Sequence, residues 1–261
     1  MNLMTFNIRY DNPEDGSNRW ANRKEYVADF IRESNIDILG IQEVLYNQLK
    51  DLLSVLPHYA YTGVGRKNGG TAGEFNAILY KKEKFSYCEG GTFWLSENPS
   101  AVGIKGWDAE IERIVTWVIL KDRATSKKFA VFNTHFDHVG QVAKRESARL
   151  VLLKMKELSG DLPAIMTGDL NSVPDSEPIK ILTNPADEIH LADSRSKARQ
   201  ITGPAWTFHG FGAALVEKRS IIDYIFIKNI DSVEQVSVIF EMRNNLYLSD
   251  HNPVQAIVTI N

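Results

Sequence analysis

The sequence predicts an α/β fold in which two packed sheets are covered on their outer faces by helices. Strand-like and helix-like patterns alternate along all 261 residues with no repeat, linker or low-complexity tract between them, which favours one α/β domain spanning 1–261. Short runs rich in β-branched and aromatic residues, each bounded by turn formers, outnumber the amphipathic helical stretches. Many strands and few helices in one domain are most simply accommodated by two sheets face to face. A hydrophobic fraction of 43% and a length of 261 residues supply enough apolar surface for such a core.

Strands are expected at residues 2–9, 36–42, 59–64, 76–80, 85–93, 114–121, 128–135, 164–169, 222–227, 233–240 and 254–260. Helices are expected at 23–34, with Tyr26, Val27, Phe30 and Ile31 on one face, and at 47–56, with Leu49, Leu52, Leu53 and Leu56. The longest, 142–158, carries Ala148, Leu152 and Met155 toward the core.

The first strand ends in Asn7, which by itself reads equally as a turn residue. The acidic stretch from Asp11 to Asp15 lacks the spacing of a calcium loop and reads as a solvated connection. The second strand is apolar on both faces until Glu43, a position where a carboxylate is costly unless paired or bound to a cation. The glycine run at 68–73 has no lysine-serine pair and opens no helix, so it is a loop and not a nucleotide cradle. Glu74 follows it, and Arg113 stands at the mouth of the next long strand, placed to meet an anion. The strand at 128–135 ends in Asn133-Thr134-His135, with Asp137 and His138 just beyond; a zinc reading is weak because no further ligand clusters there. Arg145, Glu146 and Arg149 suit a salt-bridged helix face.

The strand at 164–169 leads into Gly168-Asp169-Leu170-Asn171-Ser172. Spaced two apart on extended backbone, Asp169 and Asn171 would project to the same side and offer a carboxylate beside a neutral donor. Trp206, Phe208 and Phe211 form an aromatic loop, either core plugs or a platform for a base or sugar. Asp223 opens an apolar strand, and Asp250-His251 precede the last one. Asn7, Glu43, His135, Asp169, Asn171, Asp223, Asp250 and His251 thus all fall at or near strand ends, where a rigid scaffold can gather them on one rim.

The formal charge of -3 provides no broad positive field for long nucleic acid. Arg66-Lys67, Lys81-Lys82, the 195–199 stretch and Lys218-Arg219 read mostly as solvated faces. Cys88, the single cysteine, excludes an internal disulfide and is expected as a small buried hydrophobe. With no leader pattern and no run long enough to span a bilayer, membrane insertion is not expected. A cytoplasmic monomer without a protein partner is the expectation, or a secreted or periplasmic one if a leader has been removed.

Thr5-Phe6-Asn7-Ile8-Arg9, Ile41-Gln42-Glu43-Val44, Asn133-Thr134-His135, Gly168-Asp169-Leu170-Asn171-Ser172, Ile222-Asp223-Tyr224-Ile225-Phe226 and Ser249-Asp250-His251-Asn252-Pro253-Val254 occur in that order. In this the chain resembles the endonuclease/exonuclease/phosphatase superfamily. The residues at 19–24, 134–138 and 143–148 resemble a bacterial branch similar to nocturnin and related deadenylases. The resemblance implies a four-layer α/β/β/α, DNase I-like sandwich and a phosphoesterase dependent on Mg²⁺ or Mn²⁺. It implies Glu43 as the main metal ligand, aided by Asn7 and Asp250, and Asp169 as the group that orients and deprotonates water. Asn171, His135 and His251 would donate to the phosphate, Asp223 would hold His251 as an imidazolium, and Glu74 would do the same for His135.

The substrate stays open between a small phosphorylated metabolite, nucleotide or short 3′ end and DNA or RNA cleaved in the manner of DNase I. A binding protein that has lost the chemistry is the remaining alternative, disfavoured by the intact set of polar residues. For a small substrate, Arg113 and Arg145 would neutralise a terminal phosphate, while Trp206 and Phe208 would wall the pocket.

Overall fold

The computed structural model describes residues 1–260. In chain order the main elements are β1 (Asn2–Asn7), α1 (Trp20–Glu33), β2 (Ile38–Val44), α2 (Tyr46–Val55), β3 (Tyr59–Thr62), β4 (Phe75–Lys81), β5 (Phe85–Trp94), β6 (Ile114–Asp122), β7 (Lys128–His135) and α3 (Gln141–Ser159). They continue with β8 (Ala164–Asp169), α4 (Glu177–Thr183), β9 (Ala192–Asp193), α5 (Ser194–Lys197), β10 (Ala198–Thr202), β11 (Asp223–Lys228), β12 (Ser232–Val238), β13 (Met242–Arg243), β14 (Leu246–Tyr247) and β15 (Val254–Thr259).

One sheet runs β10-β12-β15-β1-β2-β4-β3 and the other β5-β6-β7-β8-β11-β9. Alternation along the strands decides what each face meets. In β1, Leu3 points between the sheets with Ile38, Val131, Ile165 and Ala256. Met4 and Phe6 point the other way, onto Val27, Phe30 and Ile31 of α1 and Leu49 and Leu52 of α2. On the second sheet, Phe132 and Met166 pack outward against Ala148, Leu152 and Met155 of α3. The result is the four-layer α/β/β/α sandwich, with one apolar layer between the sheets and one beneath each helical cover.

A polar bolt crosses the inner layer. Fully buried Asn133 of β7 donates to the carbonyls of Ile41 and Ala77, both at 2.9 Å, and its Oδ1 accepts from Gln42 Nε2 at 2.6 Å and Thr167 Oγ1 at 3.0 Å. A side chain at Gly40 would collide with Asn133 and Thr167, so the glycine is what lets the sheets approach at this bolt. With all the hydrogen bonds of the Asn133 amide made across the layer, the bolt fixes the registry of one sheet on the other, and hence of the strand ends.

Several expectations change in detail. β1 stops at Asn7 because Arg9 takes positive φ (57°) and turns the chain out of the sheet. The first helix starts at Trp20, after a one-residue break from a 3₁₀ segment at Pro13–Asn18. α4, α5, β9, β10 and the β13–β14 hairpin were not legible, being too short to carry a periodic pattern. Cys88 is exposed, contrary to expectation, because β5 is the edge strand of its sheet and bulges between Tyr87 and Glu89, leaving its middle in solvent.

Candidate active site

Strand register builds the centre. β7 and β8 are parallel with His135 opposite Asp169, and β8 and β11 are antiparallel with Asp169 opposite Asp223. Directly opposed residues share a face, so imidazole, carboxylate and carboxylate stand in a row across adjacent strand ends. Gly168 permits this row, since a side chain there would strike the carbonyl of Thr134 on β7.

The other sheet supplies Asn7 and Glu43. Glu43 sits at φ 60°, where the β2–β4 register breaks between Ile41 and Val44. This bulge re-aims its side chain, and its Oε2 accepts from Tyr10 N at 3.2 Å. Buried Asn7 links the two sheets' carboxylates, donating from Nδ2 to Glu43 Oε1 at 2.9 Å and to Asp169 Oδ2 at 3.0 Å. Asn171 is not on extended backbone as the spacing suggested. Its φ is 46°, and its N–H donates to Asp169 Oδ1 at 2.9 Å, so a tight turn and not strand alternation places it beside Asp169. Its amide donates to His135 Nε2 at 3.0 Å and to the carbonyl of Phe136 at 3.1 Å.

The two histidines are held in opposite states. Burial, then Arg113 and Arg66, push His135 well below an ordinary imidazole, so it is neutral and accepts from Asn171. Burial disfavours charge on His251 as well, but Asp223 at 2.9 Å and Asp169 at 3.7 Å more than offset it and hold the ring protonated. Burial, reinforced by Asp223, raises the Asp169 carboxyl to about 7. Asp250 is likewise raised by burial and by nearby Glu43, although His251 and Arg9 oppose this.

Glu43, His135, Asp169, Asn171, Asp250 and His251 line a cleft of about 580 Å³ that also includes Arg9, Tyr10, Arg66, Glu74, Ile111, Arg113, His138 and Phe208, with Asn7 and Asp223 behind them. Arg113 is buried; its Nη2 donates to His138 Nδ1 at 3.1 Å, its Nε is 3.5 Å from Asp137, and Nε and Nη1 make no hydrogen bond among the described residues. Phe208 meets His251 edge to face with ring centroids 5.0 Å apart.

Three expected roles do not match this geometry. Glu74 faces the cleft but does not reach His135: its two oxygens accept from Arg66, at 2.7 and 2.9 Å, and His135 Nδ1 has no hydrogen-bond partner among the described residues. Arg145 lies outside the cleft on α3, bonded to its neighbour Glu146 at 2.9 Å. Trp206 also lies outside it, packed on His209, Phe240 and the Arg219 guanidinium, and Phe211 packs toward Tyr247. The sequence reading missed Arg9 and Arg66. Arg66, taken for a solvated cation, is buried because it sits at the base of a hydrogen-bonded loop beside Glu74. Asp137 is no zinc ligand here: it accepts from the amides of Glu110, Val139 and Gly140 and so fixes the loop beside Arg113.

Crowded hard oxygen donors with too little compensating charge are what a divalent cation requires. The ligand atoms of Glu43, His135 and Asp169 lie within 4.8 Å of one another, as do those of Asp169, Asp223 and His251; Asp250 belongs to neither group. Glu43, Asp169 and Asp250 bring hard carboxylate oxygens to one cleft, so the donor set fits such an ion.

Two packed sheets with a cluster of carboxylates and imidazoles on one rim are the layout of the endonuclease/exonuclease/phosphatase class. The profile of the Endonuclease/Exonuclease/phosphatase family matches residues 4–251, and the chain belongs to that family. The structure is similar to an endonuclease/exonuclease/phosphatase from Bacteroides vulgatus, with TM-score 0.96 and 44% identity over 100% of this chain and 98% of that one. It is also similar to a mannosyl-6-phosphatase from Bacteroides thetaiotaomicron, with TM-score 0.91 and 36% identity over 100% of both chains. Among curated sequences, Drosophila melanogaster nocturnin is 27% identical over 61% of this chain and 25% of its own length. The chain spans 60% or less of the curated relatives it matches. No helix among the described residues is long and apolar enough to cross a membrane.

Proposed function

We propose that the chain is a single-domain phosphatase that hydrolyses a small sugar phosphate monoester, using water as the nucleophile. The observation that carries this reading is Arg113, a buried guanidinium in the wall of a cleft of about 580 Å³, whose Nη1 makes no hydrogen bond among the described residues and whose Nε comes only to 3.5 Å from Asp137. Such a group is costly unless it meets an anion, and the terminal oxygens of a monoester carry more charge than a diester does. The 36% identity to a mannosyl-6-phosphatase over both full lengths supports the same substrate class.

Asp169 would orient water and take its proton; a carboxyl titrating at about 7 is matched to base chemistry near neutral pH. As the water oxygen bonds to phosphorus, the ester P–O bond breaks and the alcohol leaves, taking a proton from solvent. His251, kept protonated by Asp223, would donate to phosphate oxygens as their charge grows, and the Asn171 amide would join it by exchanging its bond to the Phe136 carbonyl for one to the phosphate. His135 would hold Asn171 in place through the 3.0 Å contact. Glu43, with Asn7 and Asp250, would hold Mg²⁺ or Mn²⁺, which when bound supplies neutralising charge to the phosphate.

A nuclease is the second reading, and the -3 formal charge counts against a long polyanionic substrate. The test is a metal-supplemented panel of hexose 6-phosphates, an aryl phosphate, bis-aryl phosphodiesters, short oligonucleotides and plasmid. Fast turnover of the monoesters is expected. Plasmid nicking with monoesters untouched would overturn the assignment, and a protein inert toward the whole panel would point to binding without catalysis.

A further inference from the structure

Arg66 and Glu74 line the cleft, yet the phosphate chemistry uses neither. We propose that this pair recognises the hydroxyl groups of the sugar and so sets specificity; the inference rests on the sugar phosphatase reading above.

The pair is fixed and nearly buried. Arg66 Nη1 and Nη2 donate to Glu74 Oε2 and Oε1 at 2.7 and 2.9 Å, and the side chains retain only 10% and 15% exposure. A structural role does not account for it. The loop that carries the two residues is already closed by Gly65 N to Gly70 O at 2.7 Å, Arg66 N to Glu74 O at 3.0 Å and Lys67 N to Ala72 O at 3.1 Å. The carbonyl of Arg66 is pinned by Trp94 Nε1 at 2.7 Å. A nearly buried ion pair added to a closed loop brings a desolvation penalty and little further constraint.

What the pair offers is unused hydrogen-bonding capacity of both signs side by side. Each terminal guanidinium nitrogen donates one of its two protons to Glu74, and each carboxylate oxygen has room for a second donor. A hydroxyl group both donates and accepts, so two neighbouring hydroxyls match an adjacent acceptor and donor. A phosphate only accepts and is repelled by Glu74, so this wall favours a polyol over a second phosphate. With so little of either side chain exposed, hydrogen bonds made to the pair compete weakly with water. Arg113 would then meet the anion while the neighbouring Arg66–Glu74 pair, close enough to Arg113 to act on it electrostatically, meets the polyol.

The experiment uses the metal-loaded protein and steady-state kinetics on mannose 6-phosphate, single-deoxy hexose 6-phosphates and p-nitrophenyl phosphate. For the wild type, deleting the hydroxyl that meets the pair should lower kcat/KM roughly tenfold or more, mainly through KM. In Glu74→Gln that same deletion should change little, and the preference for hexose 6-phosphate over the aryl phosphate should collapse. Arg66→Lys provides a second variant if Glu74→Gln folds poorly, with the same collapse expected. A wild type indifferent to every hydroxyl overturns the inference and leaves the monoesterase reading standing. A deoxy penalty that persists undiminished in a folded variant also overturns it. A wild type that turns over diesters and no monoester removes both readings together.

Discussion

His251 Nδ1 lies 2.9 Å from Asp223 Oδ2, and both side chains are almost wholly inaccessible to solvent. The carboxylate reverses what burial alone would do to this imidazole and keeps it charged. The two residues arrive from different places, Asp223 at the start of β11 and His251 just before β15, so the pair also ties two strand ends together. Removing either partner spoils the same donor. Asp223→Ala and His251→Ala should each lower kcat strongly, and the double variant should lose little more than the worse single one. Kinetics of the four proteins at saturating metal check this, and additive losses would show that the residues act independently.

Glu43 owes its aim to a bulge at positive φ, which brings its carboxylate to Asn7 at the edge of the cleft, across from Asp169. Glu43→Gln keeps the shape and the contact with Asn7 while removing the charge. Titration calorimetry with Mn²⁺ should show affinity reduced about 10-fold or more while the circular dichroism spectrum is unchanged. Undiminished Mn²⁺ binding would transfer the role of main ligand to another carboxylate.

Asp169 gives a pH signature with a definite sign. Burial and then Asp223 keep its proton on in the folded chain up to about 7, whereas an unfolded aspartate releases it near ~3.9. Between these values the folded state binds the extra proton, so this group's contribution to stability declines as pH rises through that window. In chelator, Asp169→Asn should therefore melt above the wild type at about pH 7.5, with the gain shrinking toward zero near pH 4. The same substitution should lower kcat by about 10²–10⁴. A gain in melting temperature that grows on acidification would mean that Asp169 is already ionised and favourably paired.

The long strands and the centre were legible because apolar runs ending in Asn7, Glu43, His135 and Asp169 are local patterns that survive without tertiary information. Asn133 was harder to read, since an asparagine inside a strand says nothing until a second sheet supplies the carbonyls of Ile41 and Ala77. Arg66 and Glu74 are eight residues apart across a glycine-rich loop, and only its closure brings their side chains together. The aromatic loop shows the limit most clearly. Trp206 and Phe208 are two apart, yet one packs outward on Phe240 and the other enters the cleft against His251.

That divergence yields a paired test. Phe208 lines the cleft, its ring meets His251 at 5.0 Å between centroids, and its backbone bridges to His251. Losing an aromatic contact of this kind is worth about 0.5–1.5 kcal/mol, so Phe208→Ala should raise KM for a hexose phosphate by roughly 2–10-fold. Kcat should fall as well, because the ring helps to orient the donor. Mn²⁺ affinity should not change, since the Phe208 ring packs on His251, which is outside the proposed ligand set of Glu43, Asn7 and Asp250. Trp206 touches His209, Phe240 and Arg219 instead. Trp206→Ala should lower the melting temperature by several degrees and leave KM within about twofold, a change expected of packing lost away from the substrate. Measuring KM, kcat and melting temperature for both variants separates the two roles. Equal rises in KM would mean that Trp206 reaches the substrate after all, and that the aromatic loop acts as one wall.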